Sequence, residues 1–304
     1  MATIDYTNNH YAARWARSSS TGKWQAEDLR PPLPPHSWSD ALAVNNVGTV
    51  VGRIIEGNGQ RFFVIAGAGP VLELGTGEAV AGLNDADEMI GSRTSVDPSV
   101  PTVPLYWPSP SATPVELPVL QSGQGGAARW FRGLELVGVL ADDTGSRLVR
   151  WSRSGSGWSV AAIAEVPAGY TVRGIATDGR LALMHCAGTL YFVGKPYGCD
   201  WRAAVWDAPY VGVPGYLPNL AGTYGWTDGV TGDGTVVGVT VASNGTDMLP
   251  VIWPTPFTVA RLPLLSGGKS GLAGAPNAYR QIPGQSHYQG KGQSGSHAVI
   301  WTLR

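Results

Sequence analysis

A short pattern that recurs along the chain limits the available folds more than any other feature of the sequence. Over residues 42–52, an apolar run meets the turn Asn45-Asn46-Val47-Gly48, and a second apolar run ends at Gly52. Two apolar runs joined by such a turn are typical of paired antiparallel strands. Five further copies are found at Ala81–Gly91, Arg132–Gly138, Arg173–Leu183, Asp228–Gly238 and Arg280–Gly290. The sequence therefore predicts six similar β units.

Five of the six units continue with a strand that ends in a tryptophan, namely Trp107, Trp151, Trp206, Trp253 or Trp301. The first unit continues with the same kind of strand, Arg61–Ile65, which has no tryptophan. A shorter fourth strand follows, so that one unit has about 40 to 52 residues, the size of a propeller blade. The chain also begins with a hairpin whose first strand ends at Trp15. We expect the partner strands of this hairpin to lie elsewhere in the chain.

These units predict an all-β fold, namely a β-propeller of four-stranded blades that forms a single domain over residues 1–304. One blade cannot bury both faces of its sheet alone, so blades of this size must stack. We expect six blades, with seven as the alternative, and a ring closed by strands from both termini. The 42 glycines, 23 prolines and 14% charged residues fit many short strands joined by tight turns.

The charge and hydropathy of the chain exclude two classes of partner, nucleic acid and membrane. A formal net charge of -1 attracts neither nucleic acid nor an anionic membrane, and the chain has no apolar stretch of about 18 residues. Because the N-terminus is polar, we expect a cytoplasmic protein as written, or an extracellular one if a signal sequence was removed. Cys186 and Cys199 flank a strand-like run, and a disulfide and two reduced thiols both remain open.

Charged residues replace apolar ones at one position of the repeat. The position lies just before the residue that is Ala43, Gly82, Gly133, Gly174, Gly229 or Gln281 in the six units. It is apolar in the first two units, and in the other four it holds Arg132, Arg173, Asp228 or Arg280. We expect this position to begin the innermost strand, so that the charged side chains converge on the axis of the ring. Aromatic residues close by in sequence are Trp38, Trp130, Phe131, Tyr170, Trp226 and Tyr279.

Arginines and aromatics in one concavity predict a single axial small-molecule pocket. Guanidinium groups favour an anionic ligand. The structural alternative is that the arginines only pair with neighbouring acids such as Asp228 or Glu135.

Two functions are consistent with this pocket. The first is a propeller that binds a small molecule or glycan, because the chain carries no catalytic motif. The second is a cofactor-independent cyclase, isomerase or lyase, in which arginines stabilise developing negative charge and the candidate catalytic residues are Asp228, His287 and Glu135. For both functions we predict no metal, no cofactor, a monomer, and a small-molecule ligand or substrate as the partner.

The repeat resembles a known family. A Gly-[Leu/Ile/Val]-Asn-x-x-Gly-x-Val-Val-Gly pattern followed by a Trp-ended strand resembles the bacterial HAF-type extracellular repeat family, and Ala43–Gly52 and Gly82–Gly91 match it best. Gly229–Gly238 keeps the framework with Thr231 in place of the asparagine. The resemblance implies a propeller and an exported setting. It implies no catalytic residues, because the motif consists of turn and core positions.

Overall fold

The structure is a computed structural model and describes residues 2–6, 9–17, 20–29, 38–57, 59–67, 69–155, 157–192, 195–220, 222, 224–277, 279–290 and 293–303. Every regular element within these residues is a β-strand. Over the same residues, no helix is long and apolar enough to cross a membrane. The chain divides into two compact units, Met1–Glu165 and Val166–Arg304.

The first unit contains a three-stranded sheet and three four-stranded blades, all antiparallel. The three-stranded sheet consists of β1 (Ala2–Tyr6), β2 (Asn9–Arg17) and β3 (Trp24–Asp28). Blade 1 consists of β4 (Trp38–Val44), β5 (Val50–Glu56), β6 (Gly59–Ile65) and β7 (Val71–Glu73). Blade 2 consists of β8 (Glu78–Leu83), β9 (Met89–Arg93), β10 (Val103–Trp107) and β11 (Val115–Glu116). Blade 3 consists of β12 (Gly125–Arg132), β13 (Glu135–Asp142), β14 (Gly145–Ser154) and β15 (Gly157–Val166).

The second unit contains two four-stranded blades and one blade of three described strands. Blade 4 consists of β16 (Tyr170–Ile175), β17 (Leu181–Phe192), β18 (Lys195–Trp206) and β19 (Gly215–Tyr216). Blade 5 consists of β20 (Gly225–Val230), β21 (Val236–Val241), β22 (Met248–Thr255) and β23 (Thr258–Arg261). Blade 6 consists of β24 (Gly271–Ala273), β25 (Gln281–Gly290) and β26 (Gln293–Thr302).

Three tryptophans near the ends of third strands donate hydrogen bonds to the preceding blade, and Trp151 also packs across a glycine of its own blade. A Cβ at Gly138 would lie 2.8 Å from the Cζ3 atom of Trp151, so the indole occupies the space that a side chain would need. The indole Nε1 of Trp151 donates a hydrogen bond to the Pro118 carbonyl at 2.7 Å. Trp253 and Trp301 donate in the same way to the Pro218 and Pro263 carbonyls. The recurring glycine and tryptophan thus serve packing between blades.

The six blades counted from the repeats are confirmed, and the N-terminal strands add a sheet of their own. The strand that contains Trp15 pairs with β1 on one side and β3 on the other, and β24–β26 pair with one another. A closing blade with strands from both termini stays a prediction.

Candidate functional site

A β-bulge interrupts the innermost strand of each of the first five blades. At each bulge, one extra residue faces no partner in the second strand, and such residues are often re-aimed toward functional sites. The extra residues are Leu42, Ala81, Arg129, Arg173 and Asp228. The repeat position at which charged residues replace apolar ones is therefore the bulge residue in blades 1, 2, 4 and 5.

Two of the four charged residues predicted for this position lie elsewhere. In blade 3 the bulge residue is Arg129, whereas Arg132 ends β12 opposite Glu135. In blade 6, Arg280 lies in the turn between β24 and β25 and has a φ of 60°. The N–H of Arg280 bonds to the carbonyl of Asn277, as the N–H of Gly48 bonds to that of Asn45. Arg280 is thus the counterpart of a turn glycine and does not belong to the inner strand.

Within the second unit, the bulges of blades 4 and 5 bring Arg173 and Asp228 together. The Nη2 atom of Arg173 lies 3.8 Å from Oδ1 of Asp228. The Arg173 side chain is 40% exposed and that of Asp228 is 18% exposed. The first strands of the two blades approach closely here: a Cβ added to Gly174 would lie only 3.2 Å from the backbone nitrogen of Val230. The pair therefore joins a solvent-accessible guanidinium to a mostly buried carboxyl.

The Asp228 carboxyl is only partly satisfied. Burial raises its pKa to about 7, although the Arg173 charge and a hydrogen bond from the Trp226 side chain favour the ionised form. Its Oδ2 atom is buried and has no hydrogen-bond partner among the described residues, and the same holds for the hydroxyl of Thr227. A buried acceptor without a donor is costly, so a ligand hydroxyl or a bound proton at Oδ2 would be stabilised. We call Arg173, Trp226 and Asp228 the bulge site.

Tyr170, at the start of β16, belongs to an aromatic stack in blade 4. Its ring stacks on His185 with centroids 4.1 Å apart, and the Nδ1 atom of His185 lies 2.6 Å from the hydroxyl oxygen of Tyr216. Burial, followed by the hydrogen bond with Tyr216, raises the pKa of Tyr170 to about 12. Cys186, which follows His185 in the sequence, forms a disulfide with Cys199. Of the two alternatives that the sequence left open, the structure therefore has the disulfide and not two reduced thiols.

The candidate residues of the first unit occupy separate places on their blades. Trp38 begins β4 and is 42% exposed, whereas Trp130 lies near the end of β12. Phe131 is partly buried and packs against the hydrophobic core of blades 2 and 3, and its role as a ligand contact stays a prediction. The Glu135 carboxylate bonds to Arg150 and to the hydroxyl of Ser152 on β14. Arg150 lies on β14 and is not one of the arginines at the repeat position, so this ion pair does not test the structural alternative.

Two other candidates of the second unit lie away from the inner strands. Tyr279 is 61% exposed and lies in the same turn as Arg280. His287 lies on β25, the second strand of blade 6, opposite Ser296. The inner turn is Asn277–Arg280, so His287 lies well beyond it, on the second strand. No group of three or more His, Cys, Asp or Glu side chains that could hold a metal occurs among the described residues.

Comparison with known proteins identifies the fold. No protein-family model and no curated protein matches the sequence. A prolyl endopeptidase, one of two whose inter-domain dynamics in catalysis and specificity have been analysed, matches 100% of this chain and 50% of its own length, with 13% identity and a TM-score of 0.58. A post-proline cleaving enzyme from Rickettsia typhi matches 99% of this chain and 51% of its own length, with 9% identity and a TM-score of 0.58.

A third similar structure is the β-propeller domain of the Trilobed protease from Pyrococcus furiosus. It matches 86% of this chain and 82% of its own length, with 11% identity and a TM-score of 0.50. The chain spans about half the length of the two peptidases. At such low identity these similarities show the fold alone. Together with the six repeated blades, they show that the chain is an all-β, six-bladed β-propeller with an additional N-terminal sheet.

Proposed function

We propose that the protein is a binding propeller and that the bulge site of blades 4 and 5 holds a saccharide. The observation that supports this most is the buried Oδ2 of Asp228, which has no partner and lies on the same carboxyl that the Arg173 guanidinium approaches. A vicinal diol matches this pair, because one hydroxyl donates to the carboxylate and the next accepts from the guanidinium. The half-buried indole of Trp226 adds an apolar surface beside them.

A saccharide titration by calorimetry tests the proposal. We would titrate glucose, galactose, mannose, glucuronate and galacturonate into the wild type and into Asp228→Asn and Arg173→Met. At least one sugar is expected to bind with one site per chain. Arg173→Met should weaken its binding by about tenfold or more, and Asp228→Asn should weaken the binding of a neutral sugar by the same factor. Arg150→Met is the matched control, because it also removes an exposed arginine with a carboxylate partner. Equal binding in all four proteins, or several sites per chain, would contradict the proposal.

The pKa of Asp228 also predicts how the affinity for a charged sugar changes with pH. Below pH 7 the carboxyl is neutral and leaves the Arg173 charge free for a ligand carboxylate, whereas above pH 7 it repels one. A uronate should therefore bind more tightly at pH 6 than at pH 8. Its neutral parent sugar should change less over the same interval.

The pKa of about 7 also favours a second candidate function, a cofactor-independent isomerase or lyase. A carboxyl that titrates near neutral pH is suited to accept and return a proton, and Arg173 would stabilise the resulting negative charge. Incubation of aldoses and ketoses with the protein in D₂O, followed by proton NMR, detects such a transfer as carbon-bound deuterium. Incorporation that Asp228→Asn abolishes would support the enzyme, and no incorporation would leave the binding protein as the function.

The resemblance to the HAF-type extracellular repeat family and a location outside the cytoplasm are further parts of this proposal. The Cys186–Cys199 disulfide supports the exported alternative, because such bonds persist in oxidising compartments. A monomer with a small-molecule partner, and no nucleic acid, membrane, metal or cofactor, remains our prediction.

A further inference from the structure

A cavity of ≈ 670 Å³ lies between blades 5 and 6 of the second unit. Its walls are mostly apolar and include Ile252, Leu262, Ile300, Trp301 and Leu303. The volume is within the range of small-molecule sites, about 300 to 1,000 Å³. We call it the blade 5–6 pocket. None of the bulge-site residues lines it.

Arg280 is the charged residue of this pocket, and its guanidinium is incompletely bonded. Its Nε atom is buried and has no hydrogen-bond partner among the described residues. Its Nη2 atom lies 3.4 Å from Oδ2 of Asp233, while Oδ1 of the same carboxylate already accepts a hydrogen bond from the Thr231 hydroxyl. The Arg280 side chain is 41% exposed, so the pocket combines a mostly apolar wall with one incompletely bonded, accessible positive charge.

The backbone at Arg280 indicates that the turn alone does not require this residue. The corresponding positions in blades 1, 4 and 5 are Gly48, Gly179 and Gly234, all with positive φ. A non-glycine residue is disfavoured in this conformation. In blade 2 the same position is Asp87, whose carboxylate accepts a hydrogen bond from Asn45 at 2.6 Å. Arg280 has an unpaired buried nitrogen instead, and strained residues of this kind are concentrated at ligand sites.

We infer that the blade 5–6 pocket binds a small monocarboxylate with an apolar body, whose carboxylate pairs with the accessible guanidinium of Arg280. Carboxylate forms charge-assisted hydrogen bonds with guanidinium, and the mostly apolar walls are suited to an apolar body. This site is separate from the bulge site and does not depend on the function proposed for it.

Calorimetric titration with octanoate, octanol and acetate tests the inference. Octanoate should bind the wild type at one site per chain and more tightly than octanol or acetate, because only octanoate has both the charged head and the apolar body. Arg280→Met should weaken octanoate binding by about 10- to 100-fold. Asp228→Asn should leave it unchanged, so a failure at one site is distinguishable from a failure at the other.

Asp233→Asn is expected to strengthen octanoate binding, a result that a loss of folding could not produce. The asparagine keeps Oδ1 for the Thr231 hydroxyl and removes the charge that competes for Arg280. Octanoate should therefore bind this variant about three- to tenfold more tightly. Absence of octanoate binding, equal affinity for octanol, or unchanged affinity in Arg280→Met would each overturn the inference, as would weaker binding in Asp233→Asn.

Discussion

Asp228→Asn is expected to stabilise the protein at neutral and alkaline pH. Burial raises the pKa of this carboxyl from an ordinary value of 3.8 to about 7. Each pKa unit corresponds to about 1.4 kcal/mol, so the ionised carboxylate costs the folded state about 2 to 4 kcal/mol at pH 8. Asparagine has nearly the same shape and cannot ionise, so the variant avoids this cost.

The sign of the pH dependence follows from the direction of the shift. Between pH 4 and pH 7 the folded state holds a proton that the unfolded state releases, so the wild type loses stability relative to the variant as the pH rises. Urea unfolding of both proteins at pH 4, 5.5, 7 and 8 measures this difference, because the other titrating groups are common to both. Asp143→Asn, which removes an exposed aspartate, serves as the control.

The expected difference is close to zero at pH 4, grows up to pH 7 and then remains constant. A difference that is independent of pH, or one that shrinks as the pH rises, would refute the argument that Asp228 is desolvated. A cost in stability of this kind is common at functional sites.

Three further predictions concern stability and can be measured by urea unfolding. Trp253→Phe should lower the free energy of unfolding by about 1 to 3 kcal/mol more than Trp206→Phe does. The first substitution leaves the Pro218 carbonyl unpaired, whereas the buried Nε1 of Trp206 has no partner among the described residues. Equal losses would contradict this prediction. Gly138→Ala should cost about 2 to 4 kcal/mol, because the added Cβ would lie 2.1 Å from the Ala127 carbonyl oxygen and 2.8 Å from Cζ3 of Trp151. Gly215→Ala, which has open space, should cost under about 0.5 kcal/mol. Cys199→Ser opens the disulfide, whose cysteines are 13 residues apart, and should cost about 3 kcal/mol; an unchanged midpoint would show that the bond does not stabilise the fold.

The blade framework could be predicted from the sequence because its requirements are local. A glycine is needed where the tryptophan of the third strand packs across the sheet, as at Gly138 and Trp151, and both residues recur at similar spacing. The first strand, β1, was missed. It contains only five residues, Ala2–Tyr6, and no turn glycine or repeat marks it.

The alignment of blades 3 and 6 failed for different physical reasons. In blade 3 the inner turn is a short hairpin in which Arg132 pairs with Glu135. The Arg132-Gly133 pair of this turn has the same residue types as Arg173-Gly174 at the bulge, so the alignment placed Arg132 at the bulge position. In blade 6, Arg280 replaces the turn glycine and hides the repeat. A usable signal was present, because Asn277 precedes Gly284 by the same spacing that separates Asn45 from Gly52.

The candidate site could be predicted only in part. The charge at the repeat position pointed to Arg173 and Asp228, and the structure brings these two together. The pKa of Asp228 was not predictable, because it depends on how deeply the bulge buries the carboxyl. The blade 5–6 pocket was not predictable either, since its walls come from strands that are distant in sequence.

The ionisation of Asp228 provides the most direct test of the account. Carbon-13 NMR of the labelled carboxyl, followed from pH 3 to pH 9, gives its pKa in the wild type and in Arg173→Met. We predict a midpoint near 7 in the wild type, and a higher midpoint in Arg173→Met because the favourable guanidinium charge is removed. A wild-type midpoint near 3.8, or one that Arg173→Met leaves unchanged, would contradict the proposal that the two bulges build one desolvated, charged site.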